Sequence, residues 1–225
     1  MERWYSLVGT SHIAGQAVKV VRQAFEEQNP DVVAVELDPD RLAGLLTGER
    51  PRPSIRMVRE VGVRGYLFAL IGGSLQRRLG RIVDVLPGSD MLAAVRLAQR
   101  HAKKALLVDR DLRITLQRLN HALGWRELKQ FCKDLWRGVR GKERFSFDLS
   151  KIPDERTVER ILQEFRQRYP RPYRVLVAER NSHMAEALLA YHRQNPAQKV
   201  LVVVGAGHVA GMRQLLEASQ ELNQP

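Results

Sequence analysis

The stretch Val32-Val33-Ala34-Val35-Glu36-Leu37-Asp38-Pro39 decides the architecture. Four consecutive apolar residues, three of them β-branched and none alternating with polar ones, match a strand buried on both faces, the environment of a parallel sheet. Asp38 followed by Pro39 gives a helix cap and a first-turn proline, so the chain passes from strand to helix within a few residues. Glu36 is thereby placed at the C-terminal edge of a strand, where ligands bind in open α/β sheets.

Upstream, Asn29-Pro30 ends a helix whose apolar face is Val18, Val21 and Phe25, with Val20 and Ala24 beside them. Before that helix, Tyr5-Ser6-Leu7-Val8 reads as a strand and runs into Gly9-Thr10-Ser11-His12. The arrangement returns at the far end, where Leu201-Val202-Val203-Val204 runs into Gly205-Ala206-Gly207-His208. Each glycine is expected to end its strand and turn the chain sharply toward a helix. His12 and His208 would then join Glu36 at one sheet edge.

Downstream, Pro87-Gly88-Ser89-Asp90 forms a turn, and Met91, Val95 and Ala98 start a helix with Asp90 at its N-terminal end. A third strand, Ala105-Leu106-Leu107-Val108, ends in Asp109-Arg110-Asp111 and leads into a helix bearing Ile114, Thr115, Leu116, Arg118 and Leu119. Residues 52–81 read as helical with breaks at Gly62, Gly65 and Gly72-Gly73. Residues 125–151 read as an inserted helix plus loop, with the most mobile part at 138–147. Val158, Ile161, Leu162 and Phe165 mark a helix closed by Tyr169-Pro170. A further helix runs from about Arg174 to His192, with Glu179-Arg180-Asn181 near its start and Val177, Met184, Ala187, Leu188 and Tyr191 toward the core. His101, His121, His183 and His192 are read as solvated helix residues. The expected fold is one α/β domain over 1–225, a central parallel or mixed sheet with flanking helices and a helical insertion at about 122–170.

Composition bounds the functional classes. The 225 residues are 44% apolar and 28% charged, which excludes a disordered chain. Thirty-seven Lys and Arg against 25 Asp and Glu leave a charge of +12, which would draw anionic surfaces, nucleic acid or acidic peptides. The lone Cys132 rules out an internal disulfide and favours a reducing, cytoplasmic setting. The first eight residues are too short and polar for a signal peptide. The longest apolar stretch, Gly65 to Gly73, is about half of the ~20 residues a membrane helix needs.

The strand-edge residues suggest chemistry. His12, Glu36 and His208 offer two imidazoles and a carboxylate, the ligand set of a catalytic zinc, manganese or cobalt site with a place left for water. Such an ion makes hydroxide available near neutral pH. Glu179 or Asp90 is a candidate general base or partner of a histidine. Arg41, Arg110, Arg118 and Arg180 are candidates to hold these carboxylates or to bind a substrate carboxylate or developing oxyanion. Plainer roles stay open: a histidine after a glycine turn can cap a helix, Glu36 can pair structurally with Arg41, and Asp109-Arg110-Asp111 can be a helix cap with an ion pair. The glycines 205, 207 and 211 are spaced somewhat like a dinucleotide loop, but too little chain follows for the next strand.

Taken in order, Val8-Gly9-Thr10-Ser11-His12, Val35-Glu36-Leu37-Asp38-Pro39-Asp40-Arg41, Pro87-Gly88-Ser89-Asp90-Met91, Val108-Asp109-Arg110-Asp111 with Ile114-Thr115 and Arg118, Ala178-Glu179-Arg180-Asn181 with Met184, and Val204-Gly205-Ala206-Gly207-His208-Val209-Ala210-Gly211 resemble the TraB/PrgY family. The resemblance covers nearly the whole chain. It implies an α/β core shared with Tiki-like, erythromycin-esterase-like and ChaN-like proteins, and with it a metal-dependent hydrolase, most naturally peptidase-like. Asp90 stands where the family usually has Glu, and Asn181 where it often has Asp; Asn181 is therefore not expected to be a metal ligand or a base. Family members commonly continue into C-terminal membrane helices, so a membrane-associated natural chain is an alternative to a cytoplasmic one. The family's link to peptide-pheromone shutdown leaves a second reading, a non-enzymatic regulator that sequesters a peptide. A third is nucleic-acid binding through Arg50 to Arg81 and Lys129 to Arg144 with Trp125 and Trp136. A homodimer is compatible with each.

Overall fold

The computed structural model describes residues 3–10, 14–48, 55–83, 88–139 and 155–222. His12 and residues 140–147 of the stretch expected to be mobile lie outside them. Four strands, β1 (Tyr5–Thr10), β2 (Val32–Val35), β3 (Lys104–Leu107) and β4 (Val200–Gly205), form one sheet in the order β1-β4-β2-β3, and every pairing is parallel. The helices are α1 (Ala14–Gln28), α2 (Pro39–Thr47), α3 (Ile55–Val83), α4 (Ser89–Arg100), α5 (Leu112–Ala122), α6 (Trp125–Val139), α7 (Glu155–Arg168), α8 (Pro170–Tyr173), α9 (Glu179–Gln194) and α10 (Ala206–Leu222). A π-helical turn, Arg174–Ala178, joins α8 to α9. No helix among the described residues is long and apolar enough to cross a membrane.

The central strands β2 and β4 are buried at every position. Alternation then sorts their side chains between two cores. Val33, Val35, Leu201 and Val203 pack with Val21 and Phe25 of α1 and Met91, Ala94, Val95 and Ala98 of α4. Val32, Ala34, Val200, Val202 and Val204 pack with Met184, Ala185 and Leu188 of α9 and Met212 and Leu216 of α10. Burying each such valine or leucine contributes about 1.5–3 kcal/mol, so the sheet is the rigid part of the molecule. Its register sets Val35 opposite Val203 and Leu107, which brings the residues after β2, β3 and β4 to one edge.

A third apolar cluster stands beside the sheet: Leu119 and Ala122 of α5, Leu123 just after it, Leu128 of α6 and Val175 of the π-helical turn, with Leu67 and Phe68 of α3 against them. The expected breaks in residues 52–81 reduce to one. Gly62 kinks α3 at φ 75°, a conformation that favours glycine, and Asn120 Oδ1 accepts the Arg64 N–H released there at 3.0 Å. Gly65 instead permits a close helix crossing, since a Cβ there would lie 2.5 Å from Leu116 O on α5. The helix runs on through Gly72 and Gly73.

Of the sharp turns expected at the glycines after β1 and β4, the second is found, since Gly205 ends β4 and α10 starts at Ala206, and the first is corrected. Gly9 lies within β1, and the positive-φ glycines among the described residues are 48, 62 and 88. Gly9 is small for packing: its Cβ would lie 2.9 Å from Val209 Cγ2 of α10. Of the four histidines read as solvated, His192 departs, because its ring stacks on Trp4 at 4.1 Å and 5° and burial pushes its pKa down.

Candidate functional site

Glu36 follows β2 directly and its N–H donates to Val203 O at 3.1 Å, which fixes the carboxylate at the sheet edge. The side chain is almost entirely enclosed, at 5% exposure. Oε2 accepts the Gly205 N–H at 2.6 Å. Oε1 pairs with Arg180 Nη2 and lies 3.3 Å from His208 Nε2. Arg180, in the first turn of α9, grips Asp109 with two donors, Nε to Oδ1 at 3.0 Å and Nη2 to Oδ2 at 2.6 Å. This fork is the strong form of an arginine–carboxylate contact. Arg41 Nη1 completes Asp109 at 3.1 Å.

His208 sits in the first turn of α10, and its ring is held from both sides. Nδ1 is 2.6 Å from Asn181 Oδ1, and Nε2 is 3.0 Å from Arg180 Nη1. Arginine can only donate, so the neutral ring carries its proton on Nδ1 and presents the Nε2 lone pair to Arg180. Gly211 makes room for this: a Cβ there would lie 2.2 Å from Asn181 Nδ2. Burial opposes ionisation of Glu36, yet the Arg180 guanidinium and the Gly205 N–H beside it outweigh it and hold the carboxyl well below the usual range. Burial likewise opposes the charge on Arg180, and Glu36 and Asp109 reverse that and raise its pKa.

A second group surrounds Glu179, the residue before Arg180. Its Oε2 accepts Arg110 Nη1 at 3.2 Å and Arg118 Nη1 at 3.0 Å, and Arg174 Nε stands 3.5 Å from Oε1. Arg110 is spent entirely inside the protein, with Nε on Thr115 Oγ1 at 2.9 Å and Nη2 on the Val175 carbonyl of the π-helical turn at 2.7 Å. Two acid–arginine neighbours are thus exchanged between segments: Asp109 holds Arg180, and Arg110 holds Glu179. Burial raises the Glu179 pKa, and Arg118 and Arg110 more than reverse it.

Of the residues singled out in the sequence, Glu36, Arg180 and His208 meet in one buried cluster, Arg41 joins it through Asp109, and Arg110, Arg118 and Glu179 form the adjoining group. The expected Glu36–Arg41 ion pair is replaced, since Arg41 Nη1 reaches only the Glu36 main-chain oxygen, at 3.4 Å, while the carboxylate goes to Arg180. Asp90 is fully buried in the first turn of α4, which packs on β2. In Asp109-Arg110-Asp111 the cap and the ion pair belong to different residues: Asp111 Oδ1 caps α5 at Arg113 N, 2.7 Å, and Asp109 binds Arg180.

Asp109, Asn181 and Arg174 belong to the two groups by their contacts but are not among the residues that the sequence offers as candidates. Asn181 lacks the charge of a ligand or base, and its part is instead to orient His208. The metal ligands expected at Glu36 and His208 do lie together. Their Oε1···Nε2 separation of 3.3 Å is close to one edge of a tetrahedral site with bonds of about 2.0–2.2 Å. The cation against both in this arrangement is the Arg180 guanidinium. Among the described residues no group of three or more His, Cys, Asp or Glu is arranged to hold an ion.

The chain is similar over 96% of its length to an uncharacterized protein of Methanocaldococcus jannaschii, at 28% identity. It is also similar over 92% of its length to TraB domain-containing proteins of Bos taurus and Homo sapiens, at 27% and 24%. It spans 54%, 60% and 61% of those relatives' own lengths. The TraB/PrgY/gumN family model matches residues 4–222, a span that includes both acid–arginine groups and the His208 turn, and the chain belongs to that family.

Proposed function

We propose that the strand-edge cluster is the active site of a hydrolase acting on amide or ester bonds, with peptides as its natural substrates. One observation carries this reading. Four segments far apart in sequence, those after β2 and β3 and the first turns of α9 and α10, commit buried ionisable side chains to one another at the edge where α/β sheets bind ligands. Replacing buried ion pairs with apolar residues is often neutral or stabilising, so stability alone gives little reason for such a cluster.

A divalent zinc, manganese or cobalt ion held by Glu36 and His208 together with His12 would supply a water ionised near pH ~7. The chain's own residues prepare the place. Asn181 fixes the proton on Nδ1 of His208 and so aims Nε2 inward, as partners of ligating histidines do. The Gly205 N–H holds one Glu36 oxygen and leaves the other facing His208. Arg180, held by Asp109 through Nε and Nη2, would be the donor for an oxyanion developing on a substrate carbonyl. Glu179, its pKa held down by Arg118 and Arg110, is a weak base and serves as the anchor of its arginines.

The test is elemental analysis of protein purified without chelator, run beside His208→Ala, with hydrolysis of a quenched peptide library after addition of each ion. Near one equivalent of ion and turnover in the parent, both lost in the variant, is the expected result. Absence of turnover on peptides and simple esters with every ion would overturn the proposal. A second reading, a metal-free peptide-binding regulator, draws on one observation: Arg180 already compensates Glu36 and Asp109. Tight peptide binding unaffected by chelator and without turnover would favour it.

A further inference from the structure

The four arginines expected to meet substrate divide into two kinds. Arg41 and Arg180 are tied to Asp109, and Arg110 places all of its bonded nitrogens on Thr115, Glu179 and Val175, with 6% of its side chain exposed. Arg118 and Arg174, the latter not foreseen, are 57% and 66% exposed and each offers a single nitrogen to Glu179. Three guanidiniums therefore crowd one carboxylate, and the two outer ones keep most of their donors on the solvent side. Like charges so close repel, and a second anion bound across Arg118 and Arg174 would relieve that repulsion. The place adjoins the His208 cluster, because Glu179 and Arg180 are neighbours in α9 and their partners Arg110 and Asp109 are neighbours after β3.

We infer that Arg118 and Arg174 form a carboxylate-binding subsite beside the cluster, which selects substrates ending in a free carboxylate, as a peptide C-terminus does. The inference rests on the hydrolase reading for the word substrate, but the subsite itself rests only on the arrangement of these arginines. The planar fork of a guanidinium matches a carboxylate with two parallel bonds, whereas an amide offers one oxygen and no charge. Cleavage next to such an anchor would fall near the end of a chain.

The experiment uses dansyl-tetraalanine as the free acid and as the C-terminal amide, titrated by fluorescence at low salt against the full chain and against Arg118→Gln, Arg174→Gln. His208→Gln is titrated in parallel so that turnover does not enter. The free acid is expected to bind about tenfold tighter than the amide, the size of one charge-assisted contact, and the double variant to lose that difference. Equal affinity for acid and amide, no binding of either, or a preference that survives the double variant would overturn the inference. A dansyl-phosphoserine peptide amide is the control: tighter binding than the free acid would replace the carboxylate by a phosphate and overturn the assignment. Acid preference without turnover sinks the hydrolase and keeps the subsite, and turnover without acid preference does the reverse.

Discussion

The Arg180 group and the Glu179 group are built from the same chemistry and differ in burial. In the first, Arg180 bridges two carboxylates and Arg41 supports one of them, with side-chain exposures of 15% for Arg180, 5% for Glu36 and 3% for Asp109. In the second, one carboxylate serves three arginines, two of them more than half exposed. Away from water each charge depends on its partner, so the inner group is fixed in one geometry. At the surface, solvent replaces a lost partner with little penalty, so the outer group can exchange Glu179 contacts for a ligand. The inner group is thus a preset electrostatic environment, and the outer one is where the inferred carboxylate contact can form.

The largest effect is expected from breaking the inner group. Arg180→Leu leaves Glu36 buried without its guanidinium and Asp109 with Arg41 alone, and should destabilise the fold by about 3–5 kcal/mol in urea unfolding. A loss below about 1 kcal/mol would mean that the two groups do not differ as described.

Glu36 supplies a pH signature next in size. Its folded pKa lies below its unfolded value, so its contribution to stability is fully present above the unfolded pKa of about 4.3 and is lost as pH falls through the folded pKa. Glu36→Gln should flatten the acid limb of a plot of stability against pH. Glu179 has the same sign and more solvent, so Glu179→Gln should flatten it less. Equal slopes for the two variants would erase the contrast between buried and exposed carboxylates.

A smaller effect should follow from Gly211→Ala, whose new methyl group meets the Asn181 amide and must push it off His208. The expected loss is about 1–3 kcal/mol, with a changed His208 ring environment by NMR. An unchanged His208 signal would remove Asn181 from its positioning role. Smallest of all is Arg118→Gln, which should shift stability by no more than about 1 kcal/mol, as calorimetry can check.

How far these groups were legible in the sequence follows from their physics. The apolar runs at 32–35 and 200–205 announce buried parallel strands, and Asp38-Pro39 announces α2, because burial and capping leave local patterns. Strand order does not: nothing within 200–205 says that β4 lies between β1 and β2. For the same reason the sequence offers Arg41, five residues away, as one open partner for Glu36, whereas the partner Arg180 is 144 residues distant. Glycines misled where their smallness serves packing, as at Gly9 and Gly65, and informed where φ is positive, as at Gly62. Asn181 carries no charge to mark it in the sequence, yet an uncharged amide suffices to hold an imidazole.

The most direct test of the account is the rate of peptide hydrolysis by His208→Gln against the parent, each with added zinc, manganese and cobalt and each checked for folding. Glutamine preserves a polar side chain beside Asn181 and Arg180 but cannot act as an imidazole. A folded variant is expected, within about 1 kcal/mol of the parent, whose rate falls by at least ~100-fold, the minimum for a reacting histidine. A parent inactive with every ion, or a variant as fast as the parent, would contradict it and leave His208 as a structural member of a buried ion-pair network.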